Sequence, residues 1–408
     1  MSVLRAFRAV RPKKEYAAAV AALPYDVMNS QEAREKAKDL PYSFLHVDKA
    51  EIDLPPETDP YADIVYRTAA ANLKKLETDG ICFQEAAPKL YIYRQTMGEV
   101  VQTGIVGCAG IDDYLNGVIR RHELTRADKE ADRIRHVDTC DANTGPIFLA
   151  YRATGEIDAV IDKYLACPRE YDFYSDGGVR NEVWVIDDPA DIDALTEGFR
   201  KVPNLYIADG HHRAASAVKV ALKRRAENPA YTGEEEFNFF LAVLFRADEL
   251  KIMDYNRLLK DVPDGLFDKL ATNFEIEKEE GPVSPACRHT FGMYTDGQWY
   301  RLTLKDGRCD ETNALDSLDV SVLQRLVISP VFGIDDPRTD KRIDFVGGIR
   351  GLGELVRRCE TDMALAFSMY PTSLDELMAI ADAGQIMPPK STWFEPKLLS
   401  GLFIHKLR

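Results

Sequence analysis

The chain has 408 residues, 45% of them apolar, and a formal net charge of −15. That length suits two or three domains of about 100–200 residues each, and the apolar content suffices for a buried core. No run of about 18 apolar residues occurs, so no membrane-crossing helix is expected, and so acidic a surface repels phosphate backbones, which argues against a nucleic-acid partner.

The first 16 residues, MSVLRAFRAVRPKKEY, have no apolar core of signal-peptide length. The seven cysteines, at 82, 108, 140, 167, 287, 309 and 359, include no CxxC pair and are odd in number. Core thiols in a reducing cytosol are expected, rather than disulfides or a structural zinc site. A cytoplasmic protein follows from both points.

In chain order, Glu15–Ala22 reads as a short Ala-rich helix stopped before Pro24. Residues 29–38 read as a second helix, with Asn29 or Ser30 as N-cap. Leu54–Pro60 is a proline-rich loop, and Tyr61–Leu76 is an amphipathic helix ended by Asp79–Gly80. Lys89–Gln95 and Val100–Gly107 alternate on either side of Met97–Gly98 and predict a hairpin. Arg126–Arg135 predicts a charged helix facing solvent. Glu182–Ile186 and Leu205–Ala208 predict strands, and His212–Arg225 a helix with basic residues at its end. Phe237–Phe245, apolar throughout, predicts a strand covered on both faces.

The pattern restarts after about residue 262. Phe291–Asp296 and Gln298–Leu304 predict a hairpin around Asp296–Gly297. Val320–Ile328, Glu354–Cys359 and Thr372–Ala383 predict helices, the last with Ser373 and Glu376 at capping-box spacing. Met363–Met369 predicts a strand. The glycines of VGGIRGLGEL, 346–355, miss GxGxxG spacing, and no acidic residue follows where a ribose would need one. They read as a turn.

Chemistry concentrates in LYIADGHHRAAS, 205–216. A strand runs into Asp209–Gly210 and a helix starts at once. The first N–H groups of a helix lack internal partners, and its dipole is positive there, so such a start binds anions. Gly210 permits close approach, while His211, His212 and Arg213 add donors, Arg213 as a fork onto phosphate oxygens. Asp209 beside phosphate calls for a cation, which makes it the candidate metal ligand. The competing reading makes Asp209 a simple N-cap and the histidines exposed helix starters.

Three further stretches carry candidates. In RHELT, 121–125, Glu123 is a carboxylate able to accept a hydroxyl proton; alternatively the stretch opens the charged helix with Thr125 as N-cap. In PPKSTWFEPK, 388–397, Lys390, Ser391 and Thr392 offer a cation and two hydroxyls for a phosphate or carboxylate. Asp26 in PYDVM and Asn143 in NTGPIF are candidate ligand contacts, though a turn accounts for Asn143 equally well.

DGHHR followed by small residues resembles the phosphate-binding motif of the ParB/sulfiredoxin-like superfamily, and most closely its branch of free serine kinases. PYDVM, RHELT, NTGPIF, LDVSVLQ (318–324) and MPPKSTWFEPKLLSGL (387–402) together resemble an uncharacterised prokaryotic family known as domain of unknown function 1015. Sulfiredoxins carry a cysteine in their phosphate motif, and none lies near 209–213, which argues against a sulfinic-acid reductase.

The resemblance implies an α/β (α+β) fold: a ParB/sulfiredoxin-like phosphate-binding core over 1–262 and a smaller α+β region over 263–408 that closes the cleft. It implies transfer of a phosphoryl group from ATP or ADP, with Mg2+, to a small hydroxyl metabolite, free L-serine. Glu123, Asp209 and His211 are then the candidate catalytic residues, and Gly210, His211, His212 and Arg213 the phosphate binders. The alternatives are a non-catalytic nucleotide-binding or ParB-like DNA-associated regulator, and a phosphatase using the same pocket. Monomer and homo-oligomer both remain open.

Overall fold

The apolar run near Phe245 forms the strand Phe239–Arg246, fully buried from Phe240 to Phe245, as its lack of alternation requires. It is central to a nine-stranded sheet in the computed structural model, which describes residues 1–408. The sheet order is Ile119–Arg120, Leu205–Asp209, Ile147–Tyr151, Phe239–Arg246, Val100–Gly110, Leu90–Met97, Arg180–Ile186 and Tyr171–Tyr174, with Leu4–Arg5 also on Val100–Gly110. Leu205–Asp209 is parallel to Ile119–Arg120, and Phe239–Arg246 to Ile147–Tyr151; the other pairs are antiparallel. The expected hairpin pairs Met97 with Val100 and runs on to Tyr91 with Val106.

Helices cover this sheet. His211–Glu227 presents Ala214, Ala217, Val218 and Ala221 to a core shared with Leu149, Ile207 and Leu244. Its small side chains let helix and sheet approach closely. Asp63–Thr78 buries Val65, Tyr66, Ala69, Leu73 and Leu76, the spacing of one helical face. Ser30–Ala37 begins with a capping box in which Asn29 Oδ1 accepts the Glu32 N–H at 2.9 Å and the Glu32 carboxylate accepts the Asn29 N–H at 2.8 Å.

The charged helix is Ala127–Cys140, and the expectation that it faces solvent is corrected: Asp132, Arg133, His136 and Val137 are buried. Partners allow it, because the Asp132 carboxylate accepts from Tyr66 at 2.8 Å and from Arg133 Nε at 2.9 Å. Thr125 is not its N-cap. That position is Arg126, without a side-chain cap, and the Thr125 hydroxyl donates to Glu130 at 2.7 Å. The basic triplet that ends His211–Glu227 is paired throughout: Lys223 with Asp138, Arg224 with Asp141 and Arg225 with Asp112.

Two compact units make up the chain. Met1–Arg120, Thr125–Leu250 and Pro396–Arg408 form the first, and Arg121–Leu124 with Lys251–Glu395 the second. The last stretch completes the first unit. Ser400 pairs with Ala22 and Ile404 with Val10, His405–Lys406 pairs with Ala142–Asn143, and Leu402, Phe403 and Ile404 are buried.

The second unit has a six-stranded antiparallel sheet in the order Phe274–Glu279, Gln298–Leu304, Thr290–Thr295, Leu365–Ser368, Tyr255–Leu259, Ile343–Gly347. Asp296 and Gly297 both take positive φ, the two-residue turn that their sequence predicts. The helix expected over Val320–Ile328 is instead Asp319–Leu323, a wider π turn over Gln324–Ile328, and Ser329–Phe332. Leu374–Asp382 carries the Ser373/Glu376 capping box. In the Gly-rich stretch, a Cβ at Gly347 would collide with the Trp393 ring and one at Gly348 with the Asp254 carboxylate. Close packing accounts for both glycines. All seven cysteines are free thiols, and no helix is long and apolar enough to cross a membrane.

Candidate functional site

Strand Leu205–Asp209 shifts register between Ile207 and Asp209. Such an irregularity re-aims the side chain at the strand end. Gly210 follows at φ +91°, where a Cβ would be strained, and helix His211–Glu227 begins at the next residue. No side chain caps this helix. Its first N–H groups and the positive end of its dipole therefore lie beside Asp209.

Asp209 stands between two cations. Its Oδ2 is 3.4 Å from Lys397 Nζ and 3.7 Å from Arg213 Nη2. Burial pushes the carboxyl up, but Lys397 and Arg213, helped by the Gly210 N–H and by His211, outweigh it and hold the carboxyl well below its usual range. Arg213 is braced as well as charged, since Nη1 donates to the Pro146 carbonyl at 2.5 Å. His212 Nε2 accepts the Arg126 N–H at 3.0 Å, which ties the two helix starts together. His211 is buried.

A depressed carboxyl lends stability that is complete above its unfolded-state pKa, about 3.9, and is lost as pH falls through the folded value. Asp209→Asn removes that contribution. Urea unfolding at stepped pH is expected to show wild-type stability falling below about pH 4 and a shallower fall in the variant. Identical slopes would mean that the Asp209 carboxyl is not depressed.

In the same unit, a cavity of about 20 Å3 is lined by Tyr25, Asp48, Arg133, His136, Thr144 and Arg213, with Asn143 also in its wall. It has room for a single water. Thr144 Oγ1 donates to Asp48 at 2.9 Å, and His136 Nε2 lies 3.0 Å from the Val47 carbonyl. The Arg133 guanidinium lies 4.1 Å from the centre of the Tyr25 ring. Burial, with Arg133 adding to it, pushes the His136 pKa down, so its imidazole is neutral near pH 7; burial likewise raises the Tyr25 phenol. Asn143 holds backbone: its Oδ1 accepts the Leu241 N–H at 3.3 Å and lies 3.1 Å from His405 Nδ1. Asp26 is exposed.

Glu123, Lys390, Ser391 and Thr392 belong to the second unit. Glu123 lines a cavity of about 450 Å3 together with Ser321, Gln324, Arg325, Asp335 and Arg338, a volume in the range of small-ligand sites. Lys390 takes φ +60° and places its ammonium 5.6 Å from the centre of the Tyr255 ring. The Ser391 hydroxyl donates to the Pro388 carbonyl at 2.6 Å, and its carbonyl accepts from Thr372. Thr392 precedes the strand Trp393–Phe394.

The structure thus brings Asp209, Gly210, His211, His212 and Arg213 onto one strand-to-helix joint. Sequence reasoning did not single out Lys397, Asp48, Arg133 or His136. Arg133 and His136 share one helical face by spacing, a signal masked by the charges around them. Asp48 has no sequence signal.

Among solved structures, the chain resembles a conserved hypothetical protein from Pyrococcus furiosus at 13% identity, over 74% of this chain and 94% of that one, with a TM-score of 0.36. It resembles a free serine kinase in complex with AMP at 14% identity, over 71% and 86%, with a TM-score of 0.34. It also resembles a C-terminally truncated SbnI from Staphylococcus aureus at 11% identity, over 72% and 85%, with a TM-score of 0.37. No curated protein matches it in sequence. The family described as "Protein of unknown function (DUF1015)" matches residues 4–321, and the chain belongs to it.

Proposed function

We propose that this chain binds a nucleotide through its phosphates at the Asp209–Arg213 joint and transfers a phosphoryl group from ATP or ADP to a small hydroxyl metabolite, free L-serine. The observation that carries the reading is the uncapped, glycine-led start of helix His211–Glu227, with Asp209 held ionised between Lys397 and Arg213. The backbone N–H groups at the helix start and Lys397 meet phosphate oxygens. An ionised Asp209 suits Mg2+, which would offset charge on the phosphates. In the reaction the acceptor oxygen bonds to the terminal phosphorus, the bond to the ADP or AMP leaving group breaks, and the hydroxyl proton passes to a carboxylate. The reading gives that last role to Glu123, on its RHELT motif.

Coupled detection of phosphoserine tests this directly. With ATP or ADP and L-serine, turnover is expected to vanish in excess chelator and to return with magnesium. Turnover that persists in chelator would remove the metal from Asp209. Calorimetry that shows no binding of either nucleotide, with magnesium present, would overturn the reading as a whole.

A further inference from the structure

The second unit brings three metal-ligating side chains to one point, apart from every residue assigned a role above. His289 Nε2 is 2.9 Å from Glu311 Oε1, Cys309 Sγ is 3.1 Å from the same oxygen, and Cys309 Sγ is 3.9 Å from His289 Nε2. Around a tetrahedral zinc, with bonds of about 2.0–2.3 Å, such donors stand about 3.3–3.6 Å apart. Shifts of about half an ångström or less in each separation would seat an ion on this triangle.

The histidine also has a buried carboxylate beside its other ring nitrogen. Its Nδ1 lies 3.0 Å from Asp319 Oδ1, and that same oxygen accepts the His289 backbone N–H at 2.9 Å. Asp319 is 5% exposed. The Nδ1 contact has ion-pair distance but not hydrogen-bond geometry, and a small turn of the ring on metal binding would let Asp319 accept the Nδ1 proton and leave the Nε2 lone pair to the ion. His289 adopts φ +64°, uncommon for a residue with a Cβ. A protonated imidazole between two carboxylates would account for Asp319 and Glu311, but it would leave the Cys309 thiol as a weak donor only.

We propose that His289, Cys309 and Glu311 bind a zinc-class divalent ion, with Asp319 as the positioning carboxylate. Thiolate, imidazole and carboxylate together suit zinc or cobalt better than magnesium or calcium. The fourth position is left to water, on the side of Glu311, whose side chain is 58% exposed. Binding releases the Cys309 proton to solvent and takes His289 as the neutral imidazole. This site is independent of the phosphoryl-transfer reading.

Cobalt(II), titrated into the reduced full-length protein, is the probe. One equivalent is expected to produce a sulfur-to-cobalt charge-transfer band and the visible bands of tetrahedral cobalt, both abolished by added zinc. Cys309→Ser is expected to lose the charge-transfer band, whereas Cys287→Ser, at the neighbouring thiol, is expected to keep it. Asp319→Asn is expected to weaken cobalt binding about 10–100-fold. Metal-free melting curves establish that each variant is folded. A wild-type protein without the band, a band that survives Cys309→Ser, or a band lost in Cys287→Ser would overturn the site. Unchanged affinity in Asp319→Asn would overturn the positioning role.

Discussion

Glu123→Gln is expected to lower kcat for phosphoserine formation about 10²–10⁴-fold, the usual worth of a positioned acid or base. The amide keeps the size of the carboxylate and most of its hydrogen bonds, but it cannot take a proton. Glu123 lines the large cavity of the second unit, where one charge is exchanged for a dipole of the same shape. Packing is therefore little disturbed, and the melting temperature should stay near wild type. Nucleotide affinity, measured by calorimetry, is expected to change less than about threefold, because the phosphate motif is untouched. That split between turnover and binding is the diagnostic result. Near-normal turnover would exclude Glu123 as the base, and His211 and His212 would be the next residues to change. Wild-type protein inactive on serine with both donors would refute the acceptor while leaving the phosphate site standing.

The second large effect is on stability. Arg213→Met is expected to cost about 1–3 kcal/mol, because it strips a half-buried carboxylate and a carbonyl of their charged donor. The guanidinium is 12% exposed, faces Asp209 at 3.7 Å and donates to the Pro146 carbonyl at 2.5 Å. Methionine fills much of its volume, so the loss is electrostatic more than steric. Asp209 would keep only Lys397 as a cation, and the Pro146 carbonyl would lose its donor. Urea denaturation measures the change, and a cost under about 1 kcal/mol would show that water replaces the guanidinium freely. Nucleotide binding by the folded variant is expected to weaken by about 1.5–3 kcal/mol, the worth of hydrogen bonds to charged groups.

Local patterns were legible where local physics decides. The Asp296–Gly297 turn, the Ser373/Glu376 capping box and the uninterrupted apolar strand ending near Phe245 all follow from side-chain chemistry over fewer than ten residues. The joint at 209–213 was legible for the same reason, since strand, glycine and helix start are contiguous. What escaped depends on distant partners. Ala127–Cys140 reads as a solvent-facing helix because its charges outnumber its apolar residues, and the distant Tyr66 and Tyr25, together with the Asp132–Arg133 pair itself, make burial of Asp132 and Arg133 tolerable. Lys397 reaches Asp209 across 188 positions of sequence, and no periodicity reports that. The Cys309 thiol reads as core filler until folding sets His289 near it.

The return of residues 396–408 to the first unit has a consequence for biosynthesis. A ribosome releases Met1–Leu250 long before these residues exist, and it must first make the whole of Lys251–Glu395. At elongation rates of about 5–20 residues per second that interval is on the order of ten seconds. For its duration the strand Ala142–Asn143 has no pairing partner, Val10 and Ala22 lack their backbone contacts with Ile404 and Ser400, and the Asp209 carboxylate has no lysine. A nascent chain of this protein therefore presents an open sheet edge and an unfilled apolar groove while its second unit emerges. It is the stage at which a holdase would find most to bind.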